Sequence, residues 1–542
     1  MFFKKNIFFI IILLLGAFLR FYKLDWGQGL FAHPDEYHIA SSVARLSFPN
    51  QMNPHFFSYG TVIIYLIYFT QELIKYIFSN FNSFLIGRFY SALFSTFTIF
   101  IVYKICATFF TRKQFTLIAA FLVAITPGLI QQAHFATPES AQIFFLFSSL
   151  LFMLKFVKQN KILYLVIASI SLGLSLGVKV SSIVLLLPLI IAAIIILYPK
   201  KLSILKKLLK FTGLTLIIII IITATFFLVA PYVFLDFPAF LSNLEYEGGL
   251  AMGRFSVFYT RQFINTVPVL FQIEKILPYA LGPFLLLFSS IGFMFTIINL
   301  IWKPKKEVII ITIAFLSLFI SNAFLFAKWT RFISPTFPFF AIFACYLLDF
   351  FYSKNKSISK LLTIILLIGT LLWTAASFSI YLRPDVRITA SNWIEENLPG
   401  NSIILIEGGN MIDIPLRGNF NRIGFDFYNL EEDALTRSRI AIGLEEANYF
   451  LVQSRRIFMN HQRLPKIFPK TANFYNALFA GKLGFEQIQE FHSYPTLQIA
   501  NWKAEFPDET AEETWSVFDH PVIRVFKKTK QLSIGDYAKF LE

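Results

Sequence analysis

Charge is scarce in this 542-residue chain. Only 15% of its residues are Asp, Glu, Lys or Arg, well under the roughly one quarter of a soluble domain. That scarcity excludes a disordered tail protein and an ordinary water-soluble enzyme, because both must clothe their surface in charge. Cysteine is almost absent as well. Its two copies, Cys106 and Cys345, each sit inside an apolar run, which excludes a disulfide scaffold and leaves small buried residues. There is no glycine-rich phosphate loop, no cysteine pair at zinc spacing and no GxSxG elbow, so nucleotide hydrolysis and serine chemistry have no support.

What the chain has in plenty is apolar length: 56% hydrophobic residues, 18% aromatic, and a mean hydropathy of +0.63. Runs such as "FTGLTLIIIIIITATFFLVA" from Phe211 are long enough to cross a hydrocarbon layer as helices. The expectation is a polytopic α-helical membrane protein. The first run, "NIFFIIILLLGAFLRFY", follows Lys4 and Lys5 and reads as a retained anchor, since no small-residue cleavage site follows it.

The net charge of +16 is unevenly spread. Up to Leu382 there are 30 Lys and Arg against 11 Asp and Glu, and beyond it 18 against 21. The basic excess belongs to the membrane part, where it orients loops, and calls for no nucleic acid. Positive residues mark cytoplasmic loops. They cluster at Lys4 and Lys5, Arg112 and Lys113, Lys158 and Lys161, Lys200 to Lys210, Lys303 to Lys306, and Lys354 to Lys360. About eleven crossings satisfy these clusters, with the N-terminus inside. The segment 57–79, which carries Glu72 and Lys75, is expected to be an outer juxtamembrane element, because a further crossing would invert every later loop.

Two parts are expected: a membrane part over 1–382, with outer loops at 25–56 and 231–275, and an extracytoplasmic domain over 383–542. In the second, "ITASNWIEENLPG" reads as a helix closed by Pro-Gly, and "SIILIE", "NYFLVQS" and "PVIRVF" read as strands. "FPKTANFYNALFAGKLGF" reads as a helix ended by Gly481 and Gly484. A small α/β domain follows.

The outer side collects the acids with possible chemistry. In "HPDEYH", Pro34 opens a helix and places Asp35 near its positive end. A carboxylate there stays ionised and accepts a proton from a hydroxyl within reach. Asp35 is the candidate base, with Glu36 beside it and Glu139 of "ATPES" at the same face. His33, His38 and His134 are candidates to orient these acids or help hold a divalent cation, although their spacing matches no metal motif. Lys179, Arg88, Lys328 and Arg331 stand at boundary positions. Singly each reads as a snorkelling side chain, and together they suit the phosphate of a lipid headgroup. The loop 231–275, with Asp236, Glu245, Glu247, Arg254 and Arg261, reads as a flexible cover.

The ordered set "HPDE", "RFYSALFSTFTIFIVY", "LIQQAHFATPES", "GLSLGVKVSSIVLLLPL" and "KWTRFISPTFPFFAI" resembles the GT-C fold membrane glycosyltransferases of the protein O-mannosyltransferase and lipid A aminoarabinose transferase type. These are glycosyltransferase 39-like and depend on a phospholipid carrier. In the tail, "TASNWIEENLPGNSIILIE" and "EETWSVFDHPVIRVFKK" resemble the outer domain of prokaryotic members. The resemblance implies a sugar moved with inversion from a polyprenyl phosphate to an acceptor on a protein, lipid or glycan, at the outer face of a prokaryotic plasma membrane. It implies Asp35 as base, Glu36 as its neighbour, Lys179, Arg331 and Arg88 near the carrier phosphate, and Glu139 where the family often has Asp. The competing readings are a membrane transporter, which should carry polar groups at the bilayer midplane on repeated helices, and a glycan-binding receptor without catalysis.

Overall fold

The computed structural model describes residues 2–75, 82–198, 203–408 and 413–542. The end of the expected segment 57–79 and the residues Lys200 and Lys201 lie outside the described residues. The chain divides into two compact units: 1–24, 35–254 and 267–375 form the first, while 25–34, 255–266 and 376–542 form the second.

The first unit is helical. Eight described helices are long and apolar enough to span a membrane: Ser83–Phe109, Glu139–Gln159, Val180–Leu197, Ile204–Val229, Pro283–Trp302, Lys306–Ala323, Thr330–Lys354 and Lys356–Leu382, the last of which runs on into the second unit. Lys113–Ala124 and Pro127–His134, bent by 47°, make a ninth if they form one span. Three shorter apolar helices are described, Ile7–Phe21, Thr61–Ile74 and Ile162–Val178; the first and third fall on expected crossings, and the second lies in the segment expected at the outer surface.

The bend at Pro127 has a local cause. Proline has no N–H to offer the preceding turn, so carbonyls there lose their partners. Arg20, fully buried, takes their place: its Nη2 donates to the Val123 carbonyl (3.0 Å) and its Nη1 to that of Ala124 (2.7 Å), while its Nε donates to Ser95 Oγ (2.7 Å). The Thr374 hydroxyl donates to the Ile125 carbonyl. In hydrocarbon such groups must be satisfied within the protein, and here they are.

The segment expected as a flexible cover is instead largely helical. Phe237–Met252 starts with proline in its first turn and stops at Gly253, which adopts the left-handed φ of +74° that a helix C-terminus favours. The rest of the stretch is divided, since 255–266 belongs to the second unit.

The second unit is α/β. Its strands are β1 (Ile403–Gly408), β2 (Asn421–Asp426), β3 (Tyr449–Val452), β4 (Phe485–Phe491), β5 (Thr496–Ile499), β6 (Trp502–Glu505) and β7 (Ile523–Lys528). Five form a mixed sheet in the order β2-β1-β3-β7-β4, parallel across β2, β1 and β3 and antiparallel from β3 onward. β5 and β6 pair as a separate hairpin. Strand alternation sends Ile404, Leu451 and Val525 to one core with Ala390 and Ile394 of helix Val386–Asn397. Leu405, Phe450 and Phe526 go to the other, with Ile440, Leu444, Phe474 and Leu478. Covering both faces explains why β3 is buried at all four positions.

Candidate active site

Helix Pro34–Ala44 begins with proline and carries Asp35 and Glu36 in its first turn, both buried. The two acids then part. Glu36 turns inward: its Oε1 and Oε2 accept from Arg88 Nε (2.7 Å) and Nη2 (2.8 Å), and Oε1 also accepts the Ala136 backbone N–H (2.8 Å). Arg88 further donates to the Leu24 carbonyl (2.6 Å) and lies against the Phe84 ring. Together they tie the start of Pro34–Ala44 to Ser83–Phe109 and to the turn that presents Glu139.

Asp35 meets a different set. Its Oδ2 accepts from the Tyr59 hydroxyl (2.5 Å) and from Arg331 Nη1, and the same Nη1 donates to the Tyr59 oxygen (3.0 Å). A second ion pair joins Lys179 Nζ to Glu139 Oε1 at 2.9 Å. Lys179 Nζ also lies 5.7 Å from the centre of the Tyr59 ring and 5.0 Å from that of Phe332, while the Arg331 guanidinium lies 5.1 Å from the Trp329 ring. Tyr59 therefore stands between two carboxylate–cation pairs. Burial first, then the charges of Asp35 and Glu139 against the opposing Arg331, hold its phenol well above the usual value. It remains protonated and acts as a donor.

Backbone packing brings the halves together. Gly60 N–H donates to the Val178 carbonyl (2.9 Å), and a Cβ on Gly60 would meet the Gly177 carbonyl oxygen at 2.0 Å. Only glycine permits this approach, which sets Tyr59 and Lys179 side by side. On the other flank, Ser58 Oγ donates to Glu247 Oε1 (2.8 Å) and Asn53 Nδ2 donates to Asp236 Oδ2 (2.9 Å), so helix Phe237–Met252 braces the segment that carries Tyr59. Within the two ion pairs, Glu139 Oε2 and Arg331 Nε are buried without a hydrogen-bond partner.

The remaining candidates are placed elsewhere or differently employed. Lys328 Nζ donates to the Phe326 carbonyl (3.0 Å), and burial lowers its pKa. Arg261 belongs to the second unit, where its Nη1 bonds the Tyr428 carbonyl and His461 Nε2. Of the histidines, His33 belongs to the second unit, against Phe518; in the first, His38 lies exposed along Phe56, and His134 is buried with both ring nitrogens facing the carbonyls of Ile130 and Tyr22. A neutral imidazole donates from one nitrogen only, so the tautomer decides which of these carbonyls His134 bonds. Among the described residues no group of three or more His, Cys, Asp or Glu is placed to hold a metal ion.

Tyr59 was invisible in the sequence, where it is one aromatic residue among many. Its only signal is the triplet Ser58-Tyr59-Gly60 interrupting an apolar run.

The site residues share one end of their helices. Arg88 lies in the second turn of Ser83–Phe109 and Glu139 opens Glu139–Gln159, helices whose far ends reach Arg112 and Lys158. Lys179 ends Ile162–Val178, which starts after Lys161, and Arg331 opens the span that finishes at Lys354. The lysine clusters and the site are thus at opposite ends of the same helices.

Residues 65–227 match the family described as dolichyl-phosphate-mannose-protein mannosyltransferase. No curated protein matches the chain by sequence. Among solved structures, the archaeal oligosaccharyltransferase AglB from Archaeoglobus fulgidus, in complex with an inhibitory peptide and a dolichol-phosphate, is 15% identical with a TM-score of 0.54, over 88% of this chain and 73% of that one. The same organism's oligosaccharyltransferase tethered to an acceptor peptide is 14% identical with a TM-score of 0.53, over 97% and 89%. ArnT from Cupriavidus metallidurans in its apo state is 13% identical with a TM-score of 0.48, over 82% and 92%. The chain is a membrane protein of the GT-C fold, and the family and the solved structures to which it is similar are those of glycosyltransferases.

Proposed function

We propose that this protein transfers a sugar from a polyprenyl phosphate to an acceptor hydroxyl at the outer membrane face, with inversion and with Asp35 as base. The observation that carries the reading is the pair of ion pairs around Tyr59. Two buried carboxylates beside two cations are what a site needs if it must both accept a proton and hold a phosphate.

In this mechanism the acceptor oxygen attacks the anomeric carbon while its proton passes to Asp35. The bond from that carbon to the phosphate oxygen breaks, and polyprenyl phosphate departs with the electron pair. A phosphate monoester anion is a stable leaving group, so cations suffice and no general acid is required. Arg331 and Lys179 supply them, and the paired donors of a guanidinium suit the phosphate oxygens. Without donor, Arg331 neutralises Asp35. Donor phosphate competes for that guanidinium and releases the base. Glu139 Oε2, left without a partner among the described residues, accepts a hydrogen bond from a substrate hydroxyl. Glu36 and Arg88 act as a brace beneath Asp35.

The outer location rests on the lysine clusters, which mark the cytoplasmic ends of the helices and lie away from the site. It leaves the N-terminus inside and the second unit outside. The concentration of ionised groups at helix ends also speaks against a transporter, whose site belongs at the midplane.

The test is direct. Purified full-length protein in lipid nanodiscs is incubated with polyprenyl phosphates carrying radiolabelled mannose, glucose, galactose or a pentose, together with membrane extract, and polyprenyl phosphate release is followed. Release with at least one sugar, lost in Asp35→Asn, is expected. A folded protein that releases none, or an Asp35→Asn variant at full rate, overturns the reading.

A further inference from the structure

Asp35 Oδ2 accepts from two groups on either flank, the Tyr59 hydroxyl and Arg331 Nη1, and Arg331 is the one that the proposed function moves onto the phosphate. What then keeps the base aimed at the acceptor?

The geometry points to Tyr59 as the positioning residue of Asp35, its hydroxyl holding Oδ2 in place while Arg331 shifts between carboxylate and phosphate; this rests on Asp35 being the base. Three observations carry it. The Tyr59 hydroxyl donates to Asp35 Oδ2 at 2.5 Å, a short charge-assisted bond. The same oxygen accepts from Arg331 Nη1 at 3.0 Å, so the guanidinium has a neutral acceptor to slide along when it leaves the carboxylate. Tyr59 itself is fixed from below. Gly60 is locked against Gly177 and Val178, Ser58 is bonded to Glu247, and the Tyr59 ring lies under Lys179.

The arrangement divides the labour. Arg331 and Lys179 bear on the donor, so their loss shows in donor affinity. Tyr59 makes no ion pair and bears on the orientation of the base, so its loss shows in turnover. Its hydroxyl gives no proton away, because the acceptor's proton ends on Asp35.

The experiment uses the full-length protein in nanodiscs with the polyprenyl-phosphate sugar that wild type turns over. Tyr59→Phe removes one hydroxyl and leaves the ring under Lys179. Its kcat is expected to fall about tenfold or more, as misdirected catalytic groups cost, with donor KM within about twofold and an unchanged thermal midpoint. Incorporating 3-fluorotyrosine at position 59 keeps a hydroxyl and is expected to restore kcat. A merely structural tyrosine would lower the thermal midpoint and leave kcat per folded molecule intact, which overturns the inference. So does Tyr59→Phe at wild-type kcat while Asp35→Asn is dead, a result that leaves the function standing. Asp35→Asn at full rate overturns the function, and the role of Tyr59 with it.

Discussion

Glu36 and Arg88 form a two-pronged ion pair at 2.7 and 2.8 Å, with both side chains fully buried. Two carboxylates adjacent in sequence thus separate into different work, one toward the site and one into the fold. A buried pair contributes little net stability over an apolar replacement, but removing one partner strands a charge and costs about 3–5 kcal/mol. Glu36→Gln and Arg88→Met are each expected to lower stability by roughly that amount. The joint Glu36→Leu, Arg88→Met variant is expected to lose less than either single change. Denaturant unfolding of the purified protein checks this. An additive double variant would contradict the pairing.

Arg331 and Lys179 should fail differently from Glu36. Arg331→Lys keeps the charge and loses the planar fork, so donor KM is expected to rise about tenfold, the equivalent of roughly 1.4 kcal/mol. Arg331→Ala is expected to raise it further and to lower kcat, because the leaving phosphate loses its stabilising charge. Lys179→Met raises KM and also leaves Glu139 buried without its cation. Steady-state kinetics with varied donor separate these outcomes. A KM unmoved by all three would remove the phosphate from this place.

How much of this was written in the sequence depends on the range of the interaction. The helix start at Pro34, strands β1, β3 and β7, and the glycine-ended helix Pro469–Phe479 follow from local chemistry, and each lies where its residues predict. Strand β2 escaped because it is short and polar, with Gly424 between its two apolar residues, and β4 because its apolar residues do not alternate. The site was legible as residue types, since acids are rare and boundary cations conspicuous. Its pairings were not. Asp35 and Arg331 are 296 positions apart, and which acid takes which cation is a matter of packing. The segment 231–275 misled because Gly248 and Gly249 suggest flexibility, yet both lie inside helix Phe237–Met252.

Those glycines and Gly60 make a contrast that can be measured. Gly248 has nothing within 4 Å of an added Cβ and sits within a helix, so Gly248→Ala is expected to stabilise by about 0.5–1 kcal/mol. Gly60→Ala drives a methyl into the Gly177 carbonyl. The backbone must then shift, separating Tyr59 from Lys179, and both stability and kcat are expected to fall. Thermal midpoints and turnover of the two variants decide. Gly60→Ala at wild-type turnover would show that the close approach is not needed by the site.

The second unit should have its own pH optimum, set by two buried histidines of opposite sign. His520 would have its pKa lowered by burial, but Asp508 at 2.9 Å and Asp519 outweigh this and raise it to about 10. Its unfolded value is about 6.5. The stability it contributes is fully present below pH 6.5 and is lost as pH rises from there through 10. His461 is lowered to about 4, first by burial and also by Arg261. It costs nothing above pH 6.5, and as pH falls from 6.5 toward 4 the unfolded chain gains a proton that the folded one refuses. Hydrogen exchange over residues 434–526 of the full chain, corrected for intrinsic rates, is expected to show greatest protection near pH 6.5. His520→Asn should flatten the alkaline decline, and His461→Gln should flatten the acid one. An alkaline decline that survives His520→Asn unchanged would assign it to another group.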